Sequence, residues 1–278
     1  MDMKNISLAL LAVTALFVLV GPARAEEPLP DRFRLEIASY FLTRYESNVS
    51  LTDTNLGAGI SISPQDTLGI DIENAVARIE GYYRIRPKHA ITYAWYSINS
   101  TGSKSIEKDF EWTDPGGGTI VIPVGAQVTS TLDYDILKVG YLWSFHRSEK
   151  VELAIGGGLH ITRLKLGLDA STTIPPGQSA QRVDTTIPLP VFSIVLKYNV
   201  TPKYHWYLKS EAFVMKFNDW VGSLRDTTLG LEYRAWKHVA LGAGLSSNSL
   251  EIEEDTSAYK LRFDNTINGG LLYVAMYF

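Results

Sequence analysis

Apolar and polar residues alternate one for one in segment after segment of this chain. Phe33, Leu35, Ile37, Ser39 and Phe41 stand against Arg34, Glu36, Ala38 and Tyr40, and Ala77, Ile79, Gly81, Tyr83 and Ile85 against Arg78, Glu80, Tyr82 and Arg84. The same period returns within 91–95, 139–145, 151–161, 192–198, 206–214, 229–233, 239–245 and 272–278. Successive side chains of a strand point to opposite faces, so each segment reads as a β-strand with different surroundings on its two sides. Beyond residue 25 no apolar run is long enough to cross a bilayer as a helix.

The connections alternate too. Tight links at 86–89, 146–149, 200–203 and 236–238 take turns with links near 52–73, 101–129, 168–184, 218–223 and 254–258, the first three of them long and rich in Gly, Ser, Thr, Asp and Pro. Short turns at one end, longer loops at the other and an even number of alternating segments form the pattern of a transmembrane antiparallel up-and-down β-barrel. About ten strands are expected, with eight or twelve as the alternatives, because boundaries read from sequence are good only to a few residues.

The N-terminus points the same way. Lys4 precedes an apolar run over 6–20, and Ala23-Arg24-Ala25 supplies a small-x-small site before Glu26. This is the layout of a cleaved secretory signal peptide over 1–25, too short in its apolar part for a spanning helix, and it leaves a mature domain over 26–278. Removing it takes away Asp2, Lys4 and Arg24, so the net charge moves from −4 to −5. That mildly acidic balance gives no footing for nucleic acid. With no cysteine in the chain, disulfides, thiolate nucleophiles and Cys metal sites are excluded.

A soluble sandwich or lipocalin-like barrel also has period-two strands, but with its apolar face inward. Tyr83, Trp143, Phe145, Tyr198, Trp206, Tyr233 and Phe278 fall on the apolar face near the tight-turn end, where a membrane barrel carries an aromatic girdle. With the tight turns on the periplasmic side, both termini are periplasmic, and the first strand at Phe33 pairs with the last at Phe278 so that no edge lies open in hydrocarbon.

With these segments, Glu80-Gly81-Tyr82-Tyr83-Arg84 and Leu229-Gly230-Leu231-Glu232-Tyr233-Arg234 among them, the chain resembles the small bacterial outer-membrane β-barrels, and within them the uncharacterised proteobacterial outer-membrane β-barrel proteins. The resemblance covers nearly all of 30–278, and its motifs are architectural. It implies residence in the outer membrane, contact with outer-membrane lipids and lipopolysaccharide, and handling by periplasmic chaperones and the barrel-assembly machinery. It also implies that Leu272, Val274, Met276 and Phe278 form the assembly signal. The chain is expected to be a monomer.

The opposite face carries Arg34, Glu36, Arg78, Glu80, Arg84, Lys138, Glu152, Lys197, Lys209, Glu211, Glu232 and Arg234. Mixed charge in a narrow lumen can pair across strands and form a plug, whereas a ring of one sign would indicate a selective channel. Among the five histidines only His160 is expected to point inward, without a recognisable catalytic spacing, while His89, His146, His205 and His238 fall in or beside turns. Gly156-Gly157-Gly158 sits within a strand, where glycine permits close approach. Above the membrane Arg163 and Lys165 point outward as candidate contacts to lipopolysaccharide phosphates, and Glu251, Glu253, Glu254 and Asp255 form an acidic run. No cofactor and no metal are expected. The leading functional reading is a non-enzymatic outer-membrane protein, structural or surface-interacting, with a mostly plugged polar lumen. A small-solute channel is the alternative, and a lipid A- or peptide-hydrolysing barrel a third.

Overall fold

A computed structural model describes residues 31–53, 59–62, 70–72, 75–105, 110–113, 119–122, 124–173, 176–217, 220–255 and 259–278; the expected signal peptide lies outside them. In chain order the strands are β1 (Phe33–Asp53), β2 (Gly59–Ile62), β3 (Ile70–Ile72), β4 (Ala75–Arg86), β5 (His89–Ser105), β6 (Phe110–Thr113) and β7 (Thr119–Ile122). They continue with β8 (Gln127–Arg147), β9 (Val151–Thr173), β10 (Pro176–Asn199), β11 (Tyr204–Phe217), β12 (Trp220–Tyr233), β13 (Val239–Asp255) and β14 (Tyr259–Tyr277). Ten of them, β1, β4, β5 and β8 to β14, form one antiparallel wall, and β14 pairs back onto β1 to close it. Strands β2 and β3 extend the wall at β1 and β5, and β6 with β7 makes a separate hairpin.

Closure is made by the two chain ends. Phe33 N donates to Phe278 O at 2.9 Å, Phe278 N donates to Phe33 O at 3.0 Å, and Arg34 faces Tyr277 in the register. Cα partners followed from Phe192 through β9, β8, β5 and β4 arrive on β1 at Phe33. Followed the other way, through β11 to β14, they arrive at Glu46. The strands therefore run steeply tilted, with the stagger that closing a sheet requires.

The sidedness excludes a soluble barrel. Ile37, Leu137, Leu159, Ile194, Leu231, Leu245 and Leu272 are exposed on the outside, while Glu36, Arg78, Lys138 and Glu232 are buried inside. Such an exterior is stable against lipid, not water. Ring pairs mark its tight-turn end: Tyr204 stacks on Tyr233 at 4.6 Å, Tyr198 meets Trp206 at 5.8 Å and Phe33 meets Phe278 at 6.3 Å.

The expected long link over 168–184 is not a loop. Strands β9 and β10 stay in register up to Thr173 opposite Pro176 and project as a ribbon. Hydrophobic alternation fades there, while the threonines still favour extended backbone and the backbone pairing continues. The same reason carries β5 to Ser105 and starts β8 at Gln127, well inside the expected 101–129 link.

Inside the wall, small residues make room for large ones. Gly81, Gly230 and Gly242 stand directly opposite Tyr93, Tyr207 and Tyr273, and a Cβ at these glycines would come within 2.5, 2.4 and 2.0 Å of the tyrosine side chains. Within the triple glycine, a Cβ at Gly156 would lie 1.9 Å from Tyr141 O, so these residues serve close approach of neighbouring strands. Gly242→Val should displace the Tyr273 ring and lower stability by about 1–3 kcal/mol, the usual scale of overpacking. Urea unfolding in detergent micelles reads this, with exposed Leu245→Val as the silent control; an unchanged midpoint for Gly242→Val would refute the packing.

Candidate functional site

Alternation fixes what enters the lumen. On β4 the inward residues are Arg78, Tyr82 and Arg84 with Glu80 between them, and on β11 they are His205, Tyr207, Lys209, Glu211 and Phe213. Near the tight-turn mouth Arg234 Nη2 meets Asp31 Oδ2 at 2.8 Å, and its guanidinium lies 4.4 Å from the Tyr277 ring centre. Above it Arg34 Nη2 joins Glu232 Oε2 at 2.9 Å and Glu36 Oε2 at 2.6 Å, while its Nε donates to the Tyr277 hydroxyl at 3.0 Å. That hydroxyl in turn donates to Glu232. On the other side Arg84 Nη2 grips both oxygens of Glu152 at 2.8 and 3.0 Å, and Ser144 Oγ donates to the same carboxylate at 2.6 Å.

The next layer crosses the whole barrel. Arg78 Nη2 pairs with Glu80 Oε2 at 2.5 Å, and Lys209 Nζ bridges Glu80 at 3.2 Å to Glu211 at 3.6 Å. Glu211 then accepts from Lys138 Nζ at 3.3 Å, and Lys138 also reaches Asp226 Oδ2 at 2.6 Å. His160 Nε2 lies 3.0 Å from Glu211 Oε2, and Asn248 Nδ2 donates to Asp226 at 2.8 Å. Over this layer sit Tyr40 and Tyr96, edge to face at 6.0 Å, with Tyr134, Ile98 and Ile136. Arg78 joins the two zones, its guanidinium 5.5 Å from the Tyr96 ring centre.

A cavity of about 560 Å³ opens at the tight-turn end between Arg84, Glu152, Lys197, His205, Glu232 and Arg234. It continues into a pocket of about 110 Å³ whose lining includes Glu80 and Lys209 of the transverse layer.

Most of the inward charges named from sequence meet in this network. Lys197 departs from it: it lines the cavity but forms no ion pair among the described residues, because Glu152 and Glu232 are taken by Arg84 and Arg34. His205 also departs from expectation. It lies beside its turn as expected, but as the second residue of β11 it points inward, is buried, and has its Nε2 3.5 Å from Glu232. Asp226 went unread because the apolar alternation of its strand starts only at Leu229, yet its parity matches Glu232 and β12 begins at Trp220. Outside the lumen, Arg163 is held by Asp184 in a two-point contact at 2.9 and 2.6 Å, and Lys165 stands opposite Asp184. In the acidic run, Glu251 pairs with Arg262 at 2.7 Å. Leu272, Val274 and Phe278 face outward, with Met276 part-exposed, while Leu271, Tyr273, Ala275 and Tyr277 are buried.

His160, Glu211 and Asp226 bring ligand atoms within 4.8 Å of one another. The Lys138 ammonium already bridges the two carboxylates, so a metal ion would have to displace it, and the donor set suits an internal lysine better.

No protein-family model matches the sequence, and no curated protein sequence does. Solved structures do. The outer membrane protease OmpT from Escherichia coli superposes with a TM-score of 0.53 at 10% identity, over 92% of this chain and 99% of that one. The fold is that of a bacterial outer-membrane β-barrel. Also similar are the toluene transporter TodX from P. putida, at TM-score 0.35 and 10% identity over 90% and 91% of the two chains, and the attachment invasion locus protein Ail of Yersinia pestis with a heparin analogue. Ail aligns at TM-score 0.28 and 8% identity over 88% and 98%. At such identities the likeness is one of fold, and the chemistry of this barrel rests on its own residues.

Lys138→Met leaves the buried Asp226 without its paired cation and takes one of two cations from Glu211. Such a broken pair should cost about 3–5 kcal/mol, measured by unfolding in micelles, and Lys138→Met/Asp226→Asn should recover part of the loss. Equal stability of wild type and Lys138→Met would show that the bridge holds nothing together.

Proposed function

We propose that the chain is a non-enzymatic outer-membrane protein, structural or surface-interacting, whose lumen is plugged. The observation that carries this reading is the transverse layer from Arg78 to Asn248, with aromatic and aliphatic side chains stacked on it. Charges of both signs neutralise one another there, so no single-sign path invites an ion. The balance also argues against hydrolysis, since the oxygens of Glu211 are shared among Lys138, His160, Lys209 and Ser193. A second reading, passage of small solutes, draws support from the cavity that enters from the tight-turn end.

The remaining roles belong to the same reading. Residues 1–25 act as a signal peptide that is removed on export, leaving 26–278. Leu272, Val274, Met276 and Phe278 present the outward edge that chaperones and the assembly machinery engage before β14 meets β1. Lys165, with Arg163 beside it, faces lipopolysaccharide at the outer rim. The tight turns are periplasmic, and the barrel works as a monomer.

In planar bilayers the purified protein should give no discrete conductance steps, while Arg78→Ala/Lys209→Ala, which cuts the transverse layer, should give them. Steps from the wild type would favour the channel instead. Deleting Phe278 removes both closing hydrogen bonds to Phe33; the heat-modifiable fraction recovered in the outer membrane should fall several-fold. Wild-type recovery of the truncated chain would refute the assembly role.

A further inference from the structure

The ladder between β10 and β11 stops early. Cα partners run from Asn199 opposite His205 to Phe192 opposite Ala212, although β10 continues outward through Pro176 and β11 to Phe217. By contrast, β9 with β10, β11 with β12 and β12 with β13 stay paired to their outer tips. Carried further, the register would set Val191 against Phe213, Pro190 against Val214 and Pro188 against Lys216.

The prolines explain the break. Asn199 N donates to Lys150 O on the β9 side at 2.7 Å, so odd-numbered residues of β10 bond toward β9 and even-numbered ones toward β11. Pro188 and Pro190 therefore lack their N–H groups on the β11 side only. Pairing to β9 passes them undisturbed, with Pro190 opposite Leu159 and Pro188 opposite Ile161. Proline belongs in a sheet where no neighbour needs its donor.

The gap lies in the lipid-facing band. Leu159 is exposed beside it on β9, Val214 is 67% exposed across it, and on β9 and β10 polar outward residues begin only beyond, at Arg163 and Thr186. Open backbone edges are costly in hydrocarbon unless something covers them. Behind this gap the barrel interior turns apolar: Leu189 and Val191 of β10, Phe213 of β11, Leu224 of β12 and Leu250 of β13 form a cluster of their own, separate from the larger aromatic one. On the outside, Lys216 on the missing Pro188 rung and Arg225, opposite Ala212 on β12, are exposed and make no ion pair among the described residues. An apolar cluster behind an unpaired seam, with exposed cations on the neighbouring outer surface, matches an acyl chain joined to a phosphate.

We propose that the seam between β10 and β11 is a lateral port that seats an acyl chain of a phosphorylated lipid from the surrounding leaflet. The chain enters against Leu189, Val191 and Phe213, and Lys216 with Arg225 receives the phosphate. A sealed axial lumen and a lateral lipid site coexist in this arrangement, since Phe213, Leu224 and Leu250 take the inward positions next beyond Glu211, Asp226 and Asn248, on the outer side of the transverse layer.

The test uses the full barrel in micelles with phosphatidic acid carrying a nitroxide near the end of one acyl chain, read by broadening of backbone amide signals. The amides of Leu189, Val191, Phe213 and Leu224 should broaden, whereas those of Tyr40 and Ile98 stay sharp. The chain has no cysteine, so Pro190→Cys/Val214→Cys can staple the seam: broadening should vanish on oxidation and return on reduction of the same sample. Should that variant fail to fold, Pro188→Thr/Pro190→Thr restores two donors and should suppress the broadening instead. Lys216→Gln/Arg225→Gln should raise the amount of phosphatidic acid needed several-fold and leave a nitroxide-bearing diacylglycerol unaffected. Sharp inward amides in the wild type, or equal broadening with the seam stapled and open, would overturn the port. An equal effect of the charge variant on both probes would overturn the phosphate contact.

Discussion

Within hydrocarbon a polypeptide has no solvent for its peptide groups, and everything else in this barrel follows from that. A strand crossing the membrane must give its N–H and C=O groups to neighbours on both sides, so a sheet survives there only as a closed ring. Here the ring is shut by the paired ends Phe33 and Phe278, and the offset between Phe33 and Glu46 around the circuit is the tilt that closing it imposes. The seam at β10 and β11 obeys the same rule. The backbone is released only where proline has already removed the donor and where apolar side chains back the opening.

Closing the ring creates an interior that, beyond the cavity at the tight-turn end, is packed with side chains too polar to be left unpaired. Burying isolated charges would be prohibitive, and what repays the burial is geometry. Each inward carboxylate of the transverse layer meets at least one cation, and Lys138 serves Glu211 and Asp226 together. Such a network contributes little net stability compared with an apolar core of the same shape, yet losing one member leaves the others exposed to the full penalty. Specific closure of the lumen is therefore its more natural role, with the tyrosine layer excluding water above it.

Much of this was legible in the residues. Alternation located the ten wall strands, and parity sent Arg34, Arg78, Lys138 and Glu232 inward. The Ile267 to Phe278 segment could be read as a strand that ends on an aromatic. Parity also held information that hydrophobicity concealed: Asp226 shares the inward register of Glu232 but lies where the outward residues are no longer apolar, and His205 shares that of Glu211 but stands just ahead of Trp206, where the visible alternation begins. The ribbon of β9 and β10 was hidden because the residues between 168 and 184 carry little apolar alternation to read.

Sequence by itself determined the strand order, the face on which each side chain lies and the end at which the turns are tight, because these follow from a local period of two and from turn chemistry. Only the tertiary structure decided which charges meet. Arg34 pairs with Glu232 and Lys138 with Asp226 across long stretches of chain, and such partners are set by tilt and stagger, which belong to the closed ring and to no single strand. The same holds for Lys197, left without an ion pair among the described residues, and for Pro188 and Pro190. Their meaning depends on which neighbour each peptide group faces, and that is fixed only once the ladder exists.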